Sequence, residues 1–388
     1  MLDVKFVRQN PERIKKEIKE RNISLKGNVT IDSFLDLDKE KQKLEIELDS
    51  YRAERNSINK TISGKPDDPT RKKLTKLKQN IAKLKPKWRE VNKQWENAMN
   101  QFPNMHAEDT PIGKDESANK AIKKVGDLPK FDFKPKEHWE LGKKLDIIDN
   151  ERAAKVVGSR FTYLKGDLAL LQFALIQHAL SVLTDQKVLE KIIKKAKLNL
   201  PPTPFIPIIP PVLIRPEIMQ KMDRLEPKEE RYHTAQDDLY LIGSAEHTLG
   251  PMHMNETFDE SKLPLRYVGY STSFRREAGS YGKDVKGIFR VHQFDKLEME
   301  TFSLAEKSLE EQALMIAIQE HLVKSLELAY QIVIISTGDM GKPDYRQIDI
   351  ETWLPGQNKY RETHTADLMN DFQSRRLGIR VISFFLWF

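Results

Sequence analysis

Residues 287–302, GIFRVHQFDKLEMETF, alternate in a way that could do chemistry. In a β-strand, successive side chains point to opposite faces. One face would carry Arg290, His292, Phe294, Lys296, Glu298 and Glu300, and the other Phe289, Val291, Leu297 and Met299. The second set suits a core. The first places cation, aromatic ring and acid in regular order, a good surface for a polar ligand. Upstream, Arg275 and Glu277 close another strand, and the loop AGSYGKDVKG between them adds glycines with Lys283 and Lys286. A solvent-facing hairpin of alternating charge has the same pattern, so the residues alone leave both readings open. Other chemistries are excluded more firmly. There is no cysteine, hence no thiol nucleophile, disulfide or zinc-thiolate site. There is no GxxxxGK[ST] loop and no GxGxxG after a strand, and the nine histidines are scattered rather than spaced as metal ligands.

The elements that must position this stretch form a mixed set. Strand-like runs are expected near 239–243, 266–276, 287–302, 331–337 and 346–354, with helices over 166–197 and about 303–329. A proline-edged extended segment covers 201–216. Strands adjacent in sequence with short links predict an α+β fold built on a mostly antiparallel sheet with flanking helices. This domain is expected over 151–388, after a Pro-, Lys- and Asp-rich connector at 102–150.

The first 101 residues differ. Positions 34, 37, 41, 44, 48, 51, 55, 58 and 62 step by three and four and are mostly apolar, as in a coiled-coil seam. The pattern breaks at Gly64, Pro66 and Pro69, then resumes from Leu74 to Ala98. Two arms, about 31–63 and 70–101, predict an antiparallel helical hairpin in which each arm is the other's partner. Pro86 is expected to kink the second arm. From Arg71 to Lys93 that arm has ten Lys or Arg against Glu90 alone. A solvated face explains this; so does a rod that contacts a phosphate backbone. The net charge of +7 favours an anionic partner without fixing a fold. The N-terminus lacks a signal-peptide core, and no run approaches the ~18–20 apolar residues of a membrane span, so a soluble cytoplasmic protein without a membrane partner is expected.

The string SFRREAGSYGKDVKGIFRVHQFDKLEME resembles motif 2 of the class II aminoacyl-tRNA synthetases, and more narrowly that of seryl-tRNA synthetases. GSAEHTLGPMHMNE resembles the family's serine-binding loop, with Ser244 where Thr is usual. IPPVLI, with Pro211, resembles motif 1. TGDMG at 337–341, IDIETWLPGQNKYRETHTADLMNDFQSRR, GSRFTYLKGDLALLQFALIQHAL and the opening MLDVKFVRQNPE match in order, from Met1 to about Val381. The resemblance implies a serine–tRNA ligase that makes seryl-adenylate from L-serine and ATP with Mg²⁺, then charges tRNA(Ser) and tRNA(Sec), as a homodimer. It implies Arg275 on the α-phosphate, Glu277 on the adenine amino group and Phe294 beneath the ring. Arg290 would serve the carboxylate and α-phosphate, and Ser244, Ala245, Glu246 and Glu298 the serine. Arg276, Val291, Glu362, Thr363, His364 and Thr365 complete the ATP set, with Glu362 and Thr365 at Mg²⁺. The hairpin would lie on the tRNA's long variable arm.

The sequence departs from that pattern in places. His247 and the THTA of 363–366 are unusual but stay polar or small. Past Arg380 the family continues into motif 3, a strand and helix with an arginine on the γ-phosphate and a serine-pocket residue. Here Val381 is followed by ISFFLWF. A buried final strand is one reading of these residues. The other is a catalytic domain lacking its C-terminal end, with weak or no ATP activation by this chain alone. A chain that only binds tRNA is therefore carried as the alternative function.

Overall fold

The computed structural model describes residues 1–277 and 286–382. The loop lysine Lys283 and the tail from Ser383 lie outside the described residues. The chain divides into two compact units, Met1–Met105 and His106–Phe388.

The first unit is helical: α1 (Val4–Gln9), α2 (Pro11–Glu20), α3 (Ile31–Thr61) and α4 (Asp68–Met99). Thr30 and Ser33 form a reciprocal capping box that starts α3. Asp67 accepts from the Thr70 amide and starts α4, whose first turn takes Pro69. Pro69 therefore begins the second arm rather than ending the turn, because the first helical amides have no partner to lose. Lys73 reaches Glu54 and Lys87 reaches Glu40, each 2.7–2.9 Å. These pairs run in opposite directions along the two helices, so α3 and α4 are antiparallel. Phe34, Leu44 and Leu48 are buried on one arm and Leu77, Val91 and Ala98 on the other. The remaining seam residues of α4, such as Ile81 and Trp88, are half-covered, as expected where two helices share a seam with no third. α4 runs through Pro86 without a break. Near its base Asp38, 2% exposed, accepts from Arg8 (2.7 and 2.9 Å), Gln42 (2.6 Å) and the Trp95 indole (2.9 Å). Burial pushes its pKa up, but these donors and Arg8's charge win and hold it below the ordinary value.

The second unit carries, among the described residues, seven principal strands: β1 (Lys120–Val125), β2 (Ile206–Ile208), β3 (Leu265–Phe274), β4 (Gln293–Phe302), β5 (Tyr330–Ile334), β6 (Arg346–Leu354) and β7 (Lys359–Leu368). They form an antiparallel sheet β1-β5-β6-β7 and a second sheet β4-β3-β2, whose β2–β3 pair is parallel. Helix α5 (Asp167–Leu183), α6 (Gln186–Ala196) and α8 (Ser308–Ser325) pack beneath; α7 (Glu246–Leu249) and α9 (Phe372–Leu377) lie near the site described below. Leu314 and Ile318 of α8 share a core with Val268 and Leu297. On the same helix, Ile316 and Val323 pack with Ile332, Ile348 and Ile350. One helix thus underlies both sheets. Arg266, 1% exposed, ties β3 to it through Glu311 (2.7 and 2.9 Å).

Three expectations are corrected. Residues 106–150 are part of the second unit rather than a connector, since β1 is the edge strand beside β5. Residues 166–197 form two helices, because Asp185 accepts from the Lys187 and Val188 amides and starts the second. The strand expected over 287–302 begins only at Gln293. The backbone before it is diverted, with the His292 amide donating to the Arg160 carbonyl at 3.0 Å. Arg290 and His292 therefore do not extend the face of Phe294.

Candidate active site

β3 and β4 set the floor. Their register pairs Phe294 with Ser273, Lys296 with Ser271, Glu298 with Gly269 and Glu300 with Tyr267. Paired residues point to one side of a sheet, so Phe294, Lys296, Glu298 and Glu300 form the expected row. Leu297 and Met299 face the core. Gly269, opposite Glu298, leaves room for the 244–249 segment. A Cβ there would stand 2.7 Å from Leu249 Cδ1 and 3.1 Å from Ala245 Cβ.

That segment supplies the acidic end of the row. The Ser244 hydroxyl donates to Glu298, and the Glu246 amide donates back to Ser244 Oγ at 3.2 Å. Ala245 is fully buried. Glu246 opens α7 and meets Arg224, whose Nε lies 3.0 and 3.1 Å from its two oxygens, and Gln373, which donates at 2.9 Å. Burial alone would raise the Glu246 pKa; the Arg224 charge, with His247 and these hydrogen bonds, holds it at about 2. Arg224 also faces Asp344 at 3.4 Å and Asp367 at 3.9 Å. His247 is buried, and burial pushes its pKa to about 3. It is therefore neutral, and its Nδ1 accepts from the Gly243 amide at 3.2 Å. Burial, then the Glu246 and Glu298 charges, push the Glu300 pKa well above the ordinary value against the opposing charge of Arg224.

The other end is cationic and aromatic. The Arg275 guanidinium lies 5.3 Å from the Phe294 ring centroid and donates to the Gly243 carbonyl at 3.3 Å. Its amide bonds the His292 carbonyl at 3.0 Å, and its carbonyl meets His292 Nδ1 at 3.0 Å, which fixes the strand end. Arg276 stacks over Tyr232 at 5.5 Å. Glu277 sits at φ +49°, an uncommon backbone for a side chain with a Cβ, held by Arg160 donating to its carbonyl at 2.6 Å. Its carboxylate lies 3.5 Å from Arg290. Val291 is buried.

Glu362, Thr363, His364 and Thr365 lie on β7. Glu362 pairs with Glu351 and Thr365 with Asp349, while Thr363 is an extra residue in the register. Glu351 and Asp349 are two apart and share a face. The bulge therefore brings Glu362 and Thr365 to one face although they are three apart. Thr363 turns its hydroxyl to the Ile350 carbonyl and His364 Nδ1. Burial holds His364 down to about 4. Asp349 is buried beside Glu362, and burial first, then that charge, lift it to about 7.

Sequence reasoning missed Arg224, Asp344, Asp367, Gln373 and Asp349. Arg224, Asp344 and Gln373 meet only through folding, and no local spacing announces them. The THTAD string held one usable signal, an acid two residues after Thr365.

Comparison with known proteins bears on the family. Residues 1–106 match the seryl-tRNA synthetase N-terminal domain, and residues 228–383 match the class II tRNA synthetase core domain of the G, H, P, S and T group. The serine–tRNA ligase of Nitrosopumilus maritimus is 36% identical over 98% of this chain and 87% of its own. That of Thermodesulfovibrio yellowstonii is 37% identical over the same shares. The seryl-tRNA synthetase of Pyrococcus horikoshii, solved with ATP, is 37% identical with a TM-score of 0.84, over 99% of this chain and 88% of that one. The cytoplasmic enzyme of Naegleria fowleri, solved with AMP, is 28% identical with a TM-score of 0.80, over 98% and 86%. A hairpin arm, an α+β core and a floor graded from cationic to acidic thus occur together, and the chain belongs to the seryl-tRNA synthetase family of serine–tRNA ligases.

Proposed function

We propose that this chain activates L-serine with ATP and transfers it to tRNA(Ser), and to tRNA(Sec) where present. The observation that carries the reading is the gradient along β4, from Arg275 over Phe294 to Glu298 and Glu246. One end matches a nucleotide's ring and phosphate, and the other an amino acid's ammonium and hydroxyl. These are the two halves of an aminoacyl-adenylate.

The serine carboxylate attacks the α-phosphorus, the bond to the bridging oxygen breaks, and pyrophosphate leaves. Arg275 offers a planar guanidinium to the crowded phosphate, and Arg290 adds charge beside it. Phe294 gives the adenine a stacking surface, Glu277 accepts from its amino group, and Arg276 and Val291 shape the pocket. Ser244, Ala245, Glu246 and Glu298 hold serine. Glu246 stays ionised, so it is a constant counter-charge for the ammonium. The protein mainly positions and solvates charge, with no covalent enzyme intermediate. In the second step the terminal ribose hydroxyl of the tRNA attacks the seryl carbonyl and AMP leaves.

Mg²⁺ fits the donors on β7. Among the described residues no cluster of three acids or histidines could cage a metal. One carboxylate and one hydroxyl on a common face, Glu362 and Thr365, are what Mg²⁺ uses when phosphates supply most of its ligands. The ion would neutralise the phosphates. Thr363 and His364 hold the bulge that presents them. The basic face of α4 suits the tRNA backbone. The exposed apolar residues Leu170, Leu171 and Phe173 of α5, with Ile209, suit a twofold contact with a second copy. Among the described residues no single helix is long and apolar enough to cross a membrane, and a cytoplasmic location suits the proposed aminoacylating role.

The test is amino-acid-dependent ATP–pyrophosphate exchange, run beside tRNA(Ser) binding. Exchange specific for serine and lost in Arg275→Ala supports the reading. Exchange driven by another amino acid overturns it. Binding of tRNA with no exchange would select the alternative, a chain that only binds tRNA.

A further inference from the structure

The end of β3 is bonded to two other segments. The Phe274 amide donates to the Ile242 carbonyl at 2.8 Å, and the Arg276 amide to the Glu230 carbonyl at 3.1 Å. Gly243 follows Ile242 and Arg231 follows Glu230, so the backbone brings residues 231, 243 and 275 together. The stretch that carries Arg231 is itself held in place. The Tyr232 carbonyl accepts from the Leu241 amide at 2.9 Å, and His233 and Thr234 pair antiparallel with Tyr240 and Leu239. A Cβ on Gly243 would stand 3.2 Å from Arg231 Nη1, 3.4 Å from His247 Cε1 and 3.7 Å from Arg275 Cγ. The missing side chain at 243 thus lets two arginines and the neutral His247 close on one spot.

Arg231 and Arg275 are both half-buried. Each uses only its Nε within the protein: Arg231 donates to the Arg224 carbonyl at 3.0 Å, and Arg275 to the Gly243 carbonyl at 3.3 Å. Among the described residues neither forms an ion pair, and their terminal nitrogens have no hydrogen-bond partner. The neighbouring guanidinia differ. Arg224 meets Glu246 and Asp344, and Arg290 lies beside Glu277. Burial first, then the Arg275 and Arg224 charges, pull the Arg231 pKa below its ordinary value, against the weaker pull of Glu230 and Glu246. A guanidinium keeps its proton in a protein, so the cost of this crowding stands until an anion offsets it. Capping the Arg224 carbonyl would need a donor but no charge, and gives no reason for a second cation here.

We propose that Arg231 is a substrate-binding residue, and that with Arg275 it forms an oxyanion site beside Gly243 for a carboxylate or phosphate group. A planar guanidinium offers parallel N–H donors that match either group, and two such forks can grip one oxyanion from different sides. The position suits the middle of the gradient. Gly243 precedes Ser244, which bonds Glu298 at the acidic end, while Arg275 lies over Phe294 at the aromatic end. Between a serine and an adenosine lie the serine carboxylate and the α-phosphate, the two groups that join in the reaction. The proposal rests on the serine-activation reading for these two sources of the anion.

The test is calorimetric titration of the 388-residue chain with two pairs of compounds that differ by one anionic group: L-serine against L-serinamide, and AMP against adenosine. In the wild type the anionic member of at least one pair should bind more tightly. Arg231→Met and Arg231→Gln should each cut that preference at least about tenfold and leave the affinity of the other member unchanged. Gln can still donate to the Arg224 carbonyl, so a loss shared by both variants belongs to the charge; where Met fails to fold by near-ultraviolet dichroism, Gln alone carries the test. Loss for serine only assigns the carboxylate, loss for AMP only assigns the α-phosphate, and loss for both assigns a position they share. Three results overturn the proposal: a wild type with neither preference; variants that keep the wild-type preference; or anionic and neutral members weakened together, the mark of a merely structural arginine. An anion preference that depends on Arg231, in a chain that binds serine no better than alanine, would sink the serine-activation reading alone.

Discussion

Replacing Arg224 by Met keeps most of the side-chain volume and removes the charge that holds Glu246. In the structure Glu246 falls from an ordinary 4.5 to about 2 although its side chain is only 14% exposed. That difference corresponds to roughly 3 kcal/mol at ~1.36 kcal/mol per tenfold change in acidity. It agrees with the ~3–5 kcal/mol typical of breaking a buried ion pair on one side. The sign follows from linkage. A depressed carboxyl pKa stabilises the fold above 4.5, and that contribution is lost as pH falls towards 2. In Arg224→Met, burial outweighs the remaining Gln373 hydrogen bond and lifts the Glu246 pKa, so the variant loses stability as pH rises instead. Asp344 and Asp367, which share Arg224, push the same way. The gap between wild type and variant should therefore widen from pH 4 to pH 7.5, reaching about 3 kcal/mol. Urea titrations followed by near-ultraviolet dichroism at both pH values measure it. A gap below about 1 kcal/mol, or one equal at the two pH values, would refute the argument that Arg224 sets the charge of Glu246. Serine affinity should fall with stability, while tRNA affinity stays unchanged.

Gly269→Ala puts a Cβ 3.1 Å from Ala245 Cβ, which cannot rotate away, and 2.7 Å from Leu249, which can. The 244–249 segment must lift, and the KM for serine should rise about tenfold, ~1.4 kcal/mol, with tRNA binding unaltered. Asp38→Ala strands three donors at the base of the hairpin and should lower that unit's stability by about 2–3 kcal/mol, read as a lower helix-melting midpoint. Changing the exposed Lys72, Lys76 and Lys83 of α4 to Gln should weaken tRNA binding and flatten its salt dependence by about 0.7–0.9 per lost phosphate contact. Binding of serine and ATP should be untouched.

Much of the scaffold was legible because its signals are local. The heptad steps of α3 and α4 and the alternation along β4 each follow from a few neighbouring residues, whereas the Asp185 cap, equally local, went unread and left 166–197 as one expected helix. The start of β4 was not, because alternation continues back to 287 while the Arg160 carbonyl captures the His292 amide. That capture depends on a residue 132 positions earlier, His292 less Arg160. The hairpin's deepest polar residue, Asp38, looked like any surface acid until Arg8 and Trp95 were brought to it. At the site, the row Phe294–Glu298 could be read directly, whereas the ring of Arg224, Asp344, Asp367 and Gln373 could not. Those four converge only when the 220s, the turn at Asp344, β7 and α9 fold together. The bulge at Thr363 was equally hidden, since it is a property of two strands in register and not of one.

The central claim is that one floor binds a serine half and an adenylate half together. Calorimetric titration with a nonhydrolysable sulfamate analogue of seryl-adenylate tests this without requiring turnover. The seryl compound should bind, and the alanyl compound, lacking only the hydroxyl that Glu298 and Ser244 await, should bind at least about a hundredfold more weakly. Arg275→Ala and Glu298→Ala should each weaken the seryl compound. Equal affinity for the two analogues, or seryl binding indifferent to both substitutions, would contradict the account.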